Sequence, residues 1–228
     1  MTTFASARGL WLCVLGADEL EMLPMGGLGW LGVDLQHGRY DVTHLPAILR
    51  VAGVAGVPVL ARAASQDAGH LARVLDTGVA GVIVPGVRSL AEAEALVRAV
   101  RFPPVGERST GLTRSTVVGG PERPLLLPMV ETRGALEEVE QIAALEKVDG
   151  VFVGPYDLSL SLGRPGVTDE QVVAAIGRVR DAAREAGVLV GAFSGSRELD
   201  PLLPSDLDLV AVDTDVTVLR EGMAALFG

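Results

Sequence analysis

The sequence predicts an α/β fold, a single (β/α)8 TIM barrel spanning residues 1–228. Three observations carry this expectation. Eight short apolar runs alternate with helix-length segments along the chain, the pattern of a parallel sheet wrapped by helices. Nothing reads as a linker: glycines and prolines are spread rather than clustered, and 228 residues with 49% apolar content can bury one large core. Third, two apolar runs each close on a carboxylate. Leu125–Val130 ends at Glu131, and the run that begins at Gly150 continues through Gly154, Pro155 and Tyr156 to Asp157. A helix-length segment, 133–146, separates them. If a right-handed crossover joins two parallel strands, their ends share one rim and both carboxylates face the same space. An open doubly wound sheet is the alternative architecture.

The remaining elements follow in order. Residues 9–15 read as strand one, 18–25 as a short helix, and 30–35 as strand two leading into Gln36 and His37. A helix over 41–51, a strand over 57–61, a helix over 66–77, a strand over 80–84 and a helix over Leu90–Val100 keep the alternation regular. Residues 101–123 break it with prolines, glycines and polar side chains, which predicts a long loop over one end of the sheet. The pattern then resumes with a helix over 169–185 capped by Thr168, strands over 188–192 and 207–212, and a closing helix over 216–227. Gly27, Gly29 and Gly32 match a dinucleotide-binding spacing, but they precede a strand instead of opening a helix, and read as turn residues.

Composition narrows the function classes. A formal charge of −10, with no run of Lys or Arg, argues against a nucleic-acid surface and toward small-molecule partners. No apolar stretch is long and unbroken enough to span a membrane. The single cysteine, Cys13, sits inside an apolar run, as a buried small side chain does, and the chain reads as cytoplasmic. The single lysine, Lys147, precedes strand six at the end of the barrel opposite the carboxylates, so a Schiff-base mechanism has no candidate.

In a barrel of this kind, chemistry sits at the C-terminal ends of the strands. This chain places Asp34, Gln36 and His37 after strand two, Arg62 after strand three, Glu131 after strand five and Asp157 after strand six. Two anions so close repel. One takes up a proton, or both share a divalent cation, for which two oxygen ligands favour a hard ion such as Mg²⁺ or Mn²⁺. Each alone could instead support the N-terminus of the following helix. His37 is the one histidine on the rim, since His44 and His70 fall within helices, and it is the candidate for proton transfer. Arg62 follows an apolar strand, where it either pairs with Asp34 or receives an acid substrate.

These residues resemble a known family. The stretches Val33-Asp34-Leu35-Gln36-His37-Gly38, Pro58-Val59-Leu60-Ala61-Arg62, Val84-Pro85, Arg101-Phe102-Pro103-Pro104 with Gly106 and Arg108, Val130-Glu131-Thr132 and residues 150–159 are similar to the class II metal-dependent pyruvate aldolases of the HpcH/HpaI type, relatives of the citrate lyase β subunit. The resemblance implies an oligomeric barrel, often a hexamer, whose last helix packs on a neighbouring subunit. It implies a divalent ion (Mg²⁺, Mn²⁺ or Co²⁺) held by Glu131 and Asp157, and pyruvate or another 2-oxo acid bound at the stretch Gly154-Pro155-Tyr156-Asp157, its carboxylate on backbone N–H groups near Gly154 to Asp157. It also implies that His37, oriented by Asp34, moves a proton while Arg62 steadies the enolate oxygen.

The chain departs from the family's pattern at Met129, where glutamine is frequent, Gln36 (glutamate), Gly86 (methionine), Ser109-Thr110 (a glycine after the arginine) and Asp213 (glycine). Residues 112–123, expected to shape the aldehyde pocket, form a short version of that segment. The reading that results is a lyase cleaving a 4-hydroxy-2-oxo acid to pyruvate and an aldehyde. The alternatives are a lyase of acyl-CoA esters such as malyl-CoA or citryl-CoA, for which one lysine offers little basic surface, and a non-catalytic metal-binding barrel subunit.

Overall fold

Short runs of branched and aromatic residues, apolar on both faces, make strands that can be buried on both sides. The computed structural model describes Phe4 and residues 7–228. Its strands are β1 (Arg8–Leu12), β2 (Trp30–Asp34), β3 (Val59–Arg62), β4 (Gly81–Val84), β5 (Leu125–Val130), β6 (Gly150–Val153), β7 (Leu189–Phe193) and β8 (Leu209–Thr214). All pair in parallel and in sequence order, and β8 returns to β1, so the sheet is a closed barrel. The helices are α1 (Ala17–Glu21), α2 (Leu45–Val54), α3 (Ala68–Asp76), α4 (Leu90–Val100), α5 (Arg114–Val118), α6 (Arg133–Glu137), α7 (Val139–Ala143), α8 (Pro155–Ser161), α9 (Glu170–Ala186) and α10 (Asp215–Phe227). Among the described residues no helix is long and apolar enough to cross a membrane.

Strand alternation divides the core in two. Inward-facing Trp11, Trp30, Leu60, Ile83, Leu127, Met129 and Phe152 fill the barrel, while outward-facing residues such as Leu12, Val33, Val82 and Val151 pack under the helices. The large rings fit because glycines face them. A Cβ on Gly9 would meet Trp30 at 2.4 Å, one on Gly32 would meet Trp11 at 2.5 Å, and one on Gly191 would meet Phe152 at 2.5 Å. Gly32 is therefore an interior strand residue and not the turn residue expected, whereas Gly27, at φ +89°, does turn the chain.

Three local expectations are corrected. The segment 133–146 forms two short helices, broken at Glu138, whose carboxylate turns away to accept the N–H of Leu90 at the start of α4. Asp169, not Thr168, caps α9, accepting the Gln171 N–H at 2.9 Å. Residues 101–123 contain α5, capped by Thr113, and run beneath the N-terminal ends of the strands. There Arg114 reaches the Thr77 carbonyl, and buried Arg101 binds the Pro124 and Lys147 carbonyls and pairs with Asp149. Residues 112–123 thus lie at the foot of their own barrel, away from the rim they were expected to shape, because a segment between a helix and the next strand returns to the foot.

The seam between β1 and β8 carries an irregularity. Gly9 pairs with Ala211, but Leu10 pairs with Asp213 and Trp11 with Thr214. The slip past Val212 exchanges the faces of the residues after it, so Thr214 joins the inward-facing side with Trp11 while Asp213 aligns with outward-facing Leu10. Asp215, 1% exposed, then closes the seam: its carboxylate accepts the N–H groups of Cys13, Val14 and Leu15 at 2.9, 2.9 and 2.8 Å. Replacing Asp215 with Ala strands three backbone donors, and the expected loss is about 3 kcal/mol or more of stability, measured as a lower urea midpoint.

Candidate active site

Asp34 organises the rim. It ends β2 facing inward and is 2% exposed. One oxygen accepts the backbone N–H groups of Gln36 (3.0 Å) and His37 (3.1 Å), folding the chain into a tight turn after the strand. The carboxylate also takes a two-point hydrogen bond from Arg62, Nε at 2.9 Å and Nη2 at 2.5 Å, and the Trp11 indole N–H at 3.3 Å. Burial pushes the Asp34 carboxyl up, but the Arg62 bond and charge, with the two peptide N–H groups, outweigh it and hold the group below the usual aspartate range. Both expectations for Arg62 apply together: it pairs with Asp34 and lines the cavity, its guanidinium carbon 5.4 Å from the Trp11 ring centroid. Two of its five N–H donors go to Asp34, and three remain for an anion. Asp34 holds His37 through the backbone, so it sets where the exposed imidazole starts from and does not grip the ring.

Glu131 and Asp157 come from neighbouring strands, β5 and β6, which pair directly. Glu131 follows β5 and is 7% exposed. Its Oε1 accepts the Gly86 N–H at 2.5 Å, a contact that sequence reading did not find, from a residue at φ +73° that favours glycine. Burial, then the nearby Asp157 charge, push the Glu131 carboxyl above its usual range. β6 ends at Val153, earlier than expected, and Asp157 sits in the first turn of α8, exposed. Pro155 at the first helical position ends the strand and starts the helix. Of the N–H groups expected in this stretch, that of Gly154 goes to the Val130 carbonyl and Pro155 carries none, which leaves those of Tyr156 and Asp157.

A cavity of about 200 Å³ joins these groups, lined by Asp34, His37, Arg62, Met129, Glu131, Gly154, Pro155, Tyr156 and Asp157. Trp11, Cys13, Phe193 and Thr214 complete it and were missed in the sequence. The alternation of β1, which sends residues 9, 11 and 13 to one face, was the available signal for the first two. Cys13 is half-buried rather than buried, and burial, then Asp34 and Asp215, push its thiol up to about 12, so it stays protonated. Burial, then Asp213, push the Tyr156 phenol above its usual range. A larger hollow of about 830 Å³ lies at the foot, but its Arg123 and Arg184 are paired with Asp149 and Asp208, and none of the rim residues lines it. The chemistry belongs to the smaller cavity. Among the described residues no group of three or more His, Cys, Asp or Glu is placed to hold a metal ion, and the rim offers the two carboxylates Glu131 and Asp157.

Breaking the Asp34–Arg62 pair leaves a largely buried cation without its partner. Asp34→Asn is expected to cost about 3–5 kcal/mol at neutral pH. Because the folded carboxyl titrates below its unfolded value, its contribution is complete above the ordinary aspartate range and drains as pH falls through the depressed value. Parallel urea titrations of parent and variant should therefore converge in acid.

Comparison with known proteins points the same way. The family model for HpcH/HpaI aldolase/citrate lyase matches residues 8–220. A pyruvate aldolase of Rhizobium etli is 38% identical, covering 97% of this chain and 91% of that protein. A 4-hydroxy-2-oxo-heptane-1,7-dioate aldolase of Klebsiella pneumoniae is 33% identical over 96% and 87%. The crystal structure of an HpcH/HpaI aldolase/citrate lyase family protein from Burkholderia cenocepacia superposes with a TM-score of 0.84, at 30% identity and covering 97% and 93% of the two chains. With the barrel, the rim cavity and these likenesses in hand, the chain belongs to the HpcH/HpaI aldolase/citrate lyase family.

Proposed function

We infer that this protein is a metal-dependent aldolase, a carbon–carbon lyase that reversibly cleaves a 4-hydroxy-2-oxo acid to pyruvate and an aldehyde. The observation that carries the reading is the meeting of Glu131 and Asp157 with His37 and Arg62 in one rim cavity, supported by relatives named pyruvate aldolase and 4-hydroxy-2-oxo-heptane-1,7-dioate aldolase.

The residues fit a divalent cation. Two hard carboxylates face one cavity, and Glu131 Oε2 lies so close over Gly154 that a Cβ there would come within 2.8 Å of it. Glu131 and Asp157 would hold the ion, with Mg²⁺, Mn²⁺ and Co²⁺ as candidates; it would supply Lewis acidity to the 2-oxo group. The N–H groups of Tyr156 and Asp157 orient the substrate carboxylate. The free donors of Arg62 face the 2-oxo oxygen and stabilise the charge that develops there. His37 removes a proton from the pyruvate methyl carbon in the synthetic direction and returns it after cleavage. Asp34 keeps Arg62 in place and anchors the His37 turn.

Deuterium exchange tests this without knowing the aldehyde. With Mn²⁺ and pyruvate in heavy water, the parent should exchange its substrate's methyl hydrogens. Glu131→Gln should lose most exchange and recover little with added Mn²⁺. His37→Ala should slow exchange about 10²–10⁴-fold while Mn²⁺ binding, read by calorimetry, persists. Exchange at the parent rate in that variant would assign the proton to another group.

A homo-oligomer, with a hexamer as the resemblance implies, and a cytoplasmic setting complete the proposal. In α10 only Asp215 is buried, while Val218, Leu219, Met223, Leu226 and Phe227 are 48% to 82% exposed. The flank of β1 and β8 is incompletely covered: outward-facing Leu10 and Val212 are half-buried, although Leu12 and Val210 beside them are buried, as are the outward-facing residues of the other strands. One chain thus has a helix short of a surface and a surface short of a helix, which a second copy would satisfy. Light scattering at micromolar concentration should report an oligomer; a monomer would refute this.

A further inference from the structure

The lining of the rim cavity is of two chemical kinds. Glu131, Asp157, His37 and the Asp34–Arg62 pair make its polar end, and Trp11, Cys13, Phe193, Tyr156 and Thr214 its aromatic end. The two meet where the Trp11 indole N–H donates to Asp34 and the Arg62 guanidinium carbon lies 5.4 Å from the Trp11 ring centroid. Phe193 links its floor to its mouth, with its ring centroid 5.6 Å from that of Trp11 and 6.2 Å from that of Tyr156. Arg62 is the one arginine or lysine among the lining residues, and it belongs to the polar end. Asp213 and Glu198 both act on the Tyr156 phenol, while Arg197 beside Glu198 is paired with Glu221.

Resting on the aldolase reading, we propose that the aromatic end selects the aldehyde, and that the preferred partner is a small uncharged aldehyde with an apolar substituent, to the exclusion of aldehydes bearing a carboxylate. Once pyruvate takes Arg62 and the backbone donors, a second carboxylate lying along Phe193 and Tyr156 would find no second arginine or lysine in the lining, losing its hydration with no ion pair in return. An alkyl group instead gains contact with Phe193 and Trp11, and each methylene in such a wall is worth about 10-fold or more in kcat/KM. In the reaction, the pyruvate methyl carbon loses its proton to His37 and bonds to the aldehyde carbon. The aldehyde oxygen takes up a proton, in balance with the one given to His37, and becomes the 4-hydroxyl. The substituent on the aldehyde is the part that lies along Phe193.

The experiment uses the full chain with Mn²⁺ and pyruvate, and measures kcat/KM for acetaldehyde, butanal and 4-oxobutanoate beside aldehyde-independent deuterium exchange. Butanal should exceed 4-oxobutanoate by at least about 10-fold and exceed acetaldehyde as well. Phe193→Ala should bring butanal down toward acetaldehyde. Normal exchange with 4-oxobutanoate used as well as butanal, or with a butanal preference unmoved by Phe193→Ala, overturns this inference and leaves the aldolase reading standing. Absence of exchange in the parent overturns both.

Discussion

Closure of the parallel sheet is the constraint on which everything else rests. Eight parallel strands paired in sequence leave no free edge and bring all eight C-terminal ends to one rim. Residues as distant in sequence as Trp11, Asp34, Arg62, Glu131, Asp157 and Phe193 then line one cavity. Closure in turn depends on filling the interior. Three glycines on β1, β2 and β7 give up their side-chain volume to Trp30, Trp11 and Phe152, so few but large residues pack the space that several medium ones would need.

Within that frame Asp34 connects stability to chemistry. A buried ion pair contributes little net stability compared with an apolar pair of the same shape, yet losing one partner is costly. The value of Asp34 and Arg62 lies in position. One carboxylate fixes a guanidinium against the Trp11 ring, fixes the indole through its N–H, and fixes the turn that carries His37. The aromatic floor and the polar end of the cavity are therefore tied through a single group.

Much of this was legible in the sequence for a simple reason: strand order and side-chain alternation are local patterns, and in a barrel they dictate which residues reach the rim. Glu131, Asp157, His37 and Arg62 were found that way, and α4 matched its predicted span. What escaped depends on contacts between distant segments. The slip past Val212 exchanges the faces of Asp213 and Thr214 because of pairing with β1, which nothing in 207–212 reveals. Phe193 ends an apolar run whose extent was misjudged by one residue. The Gly86 N–H reaches Glu131 from 45 positions away. The break at Glu138 answers to Leu90 on another helix. The composition of 101–123 predicts a loop, but its placement follows from connectivity.

The Asp215 clamp has a consequence for how the molecule comes into being. β1 holds residues 8–12, its far seam is β8, and the carboxylate that binds the N–H groups of residues 13–15 sits at position 215. During synthesis the first strand can find β2 early, but its second neighbour and its anchor emerge only after some 200 residues have followed, a count set by these same bonds. Until then one edge of the growing sheet is open, and the loop that must close is nearly the whole chain. Protection of the amides of residues 13–15 from hydrogen exchange therefore waits for position 215, and a truncation before it leaves those three donors at the start of the chain without their acceptor.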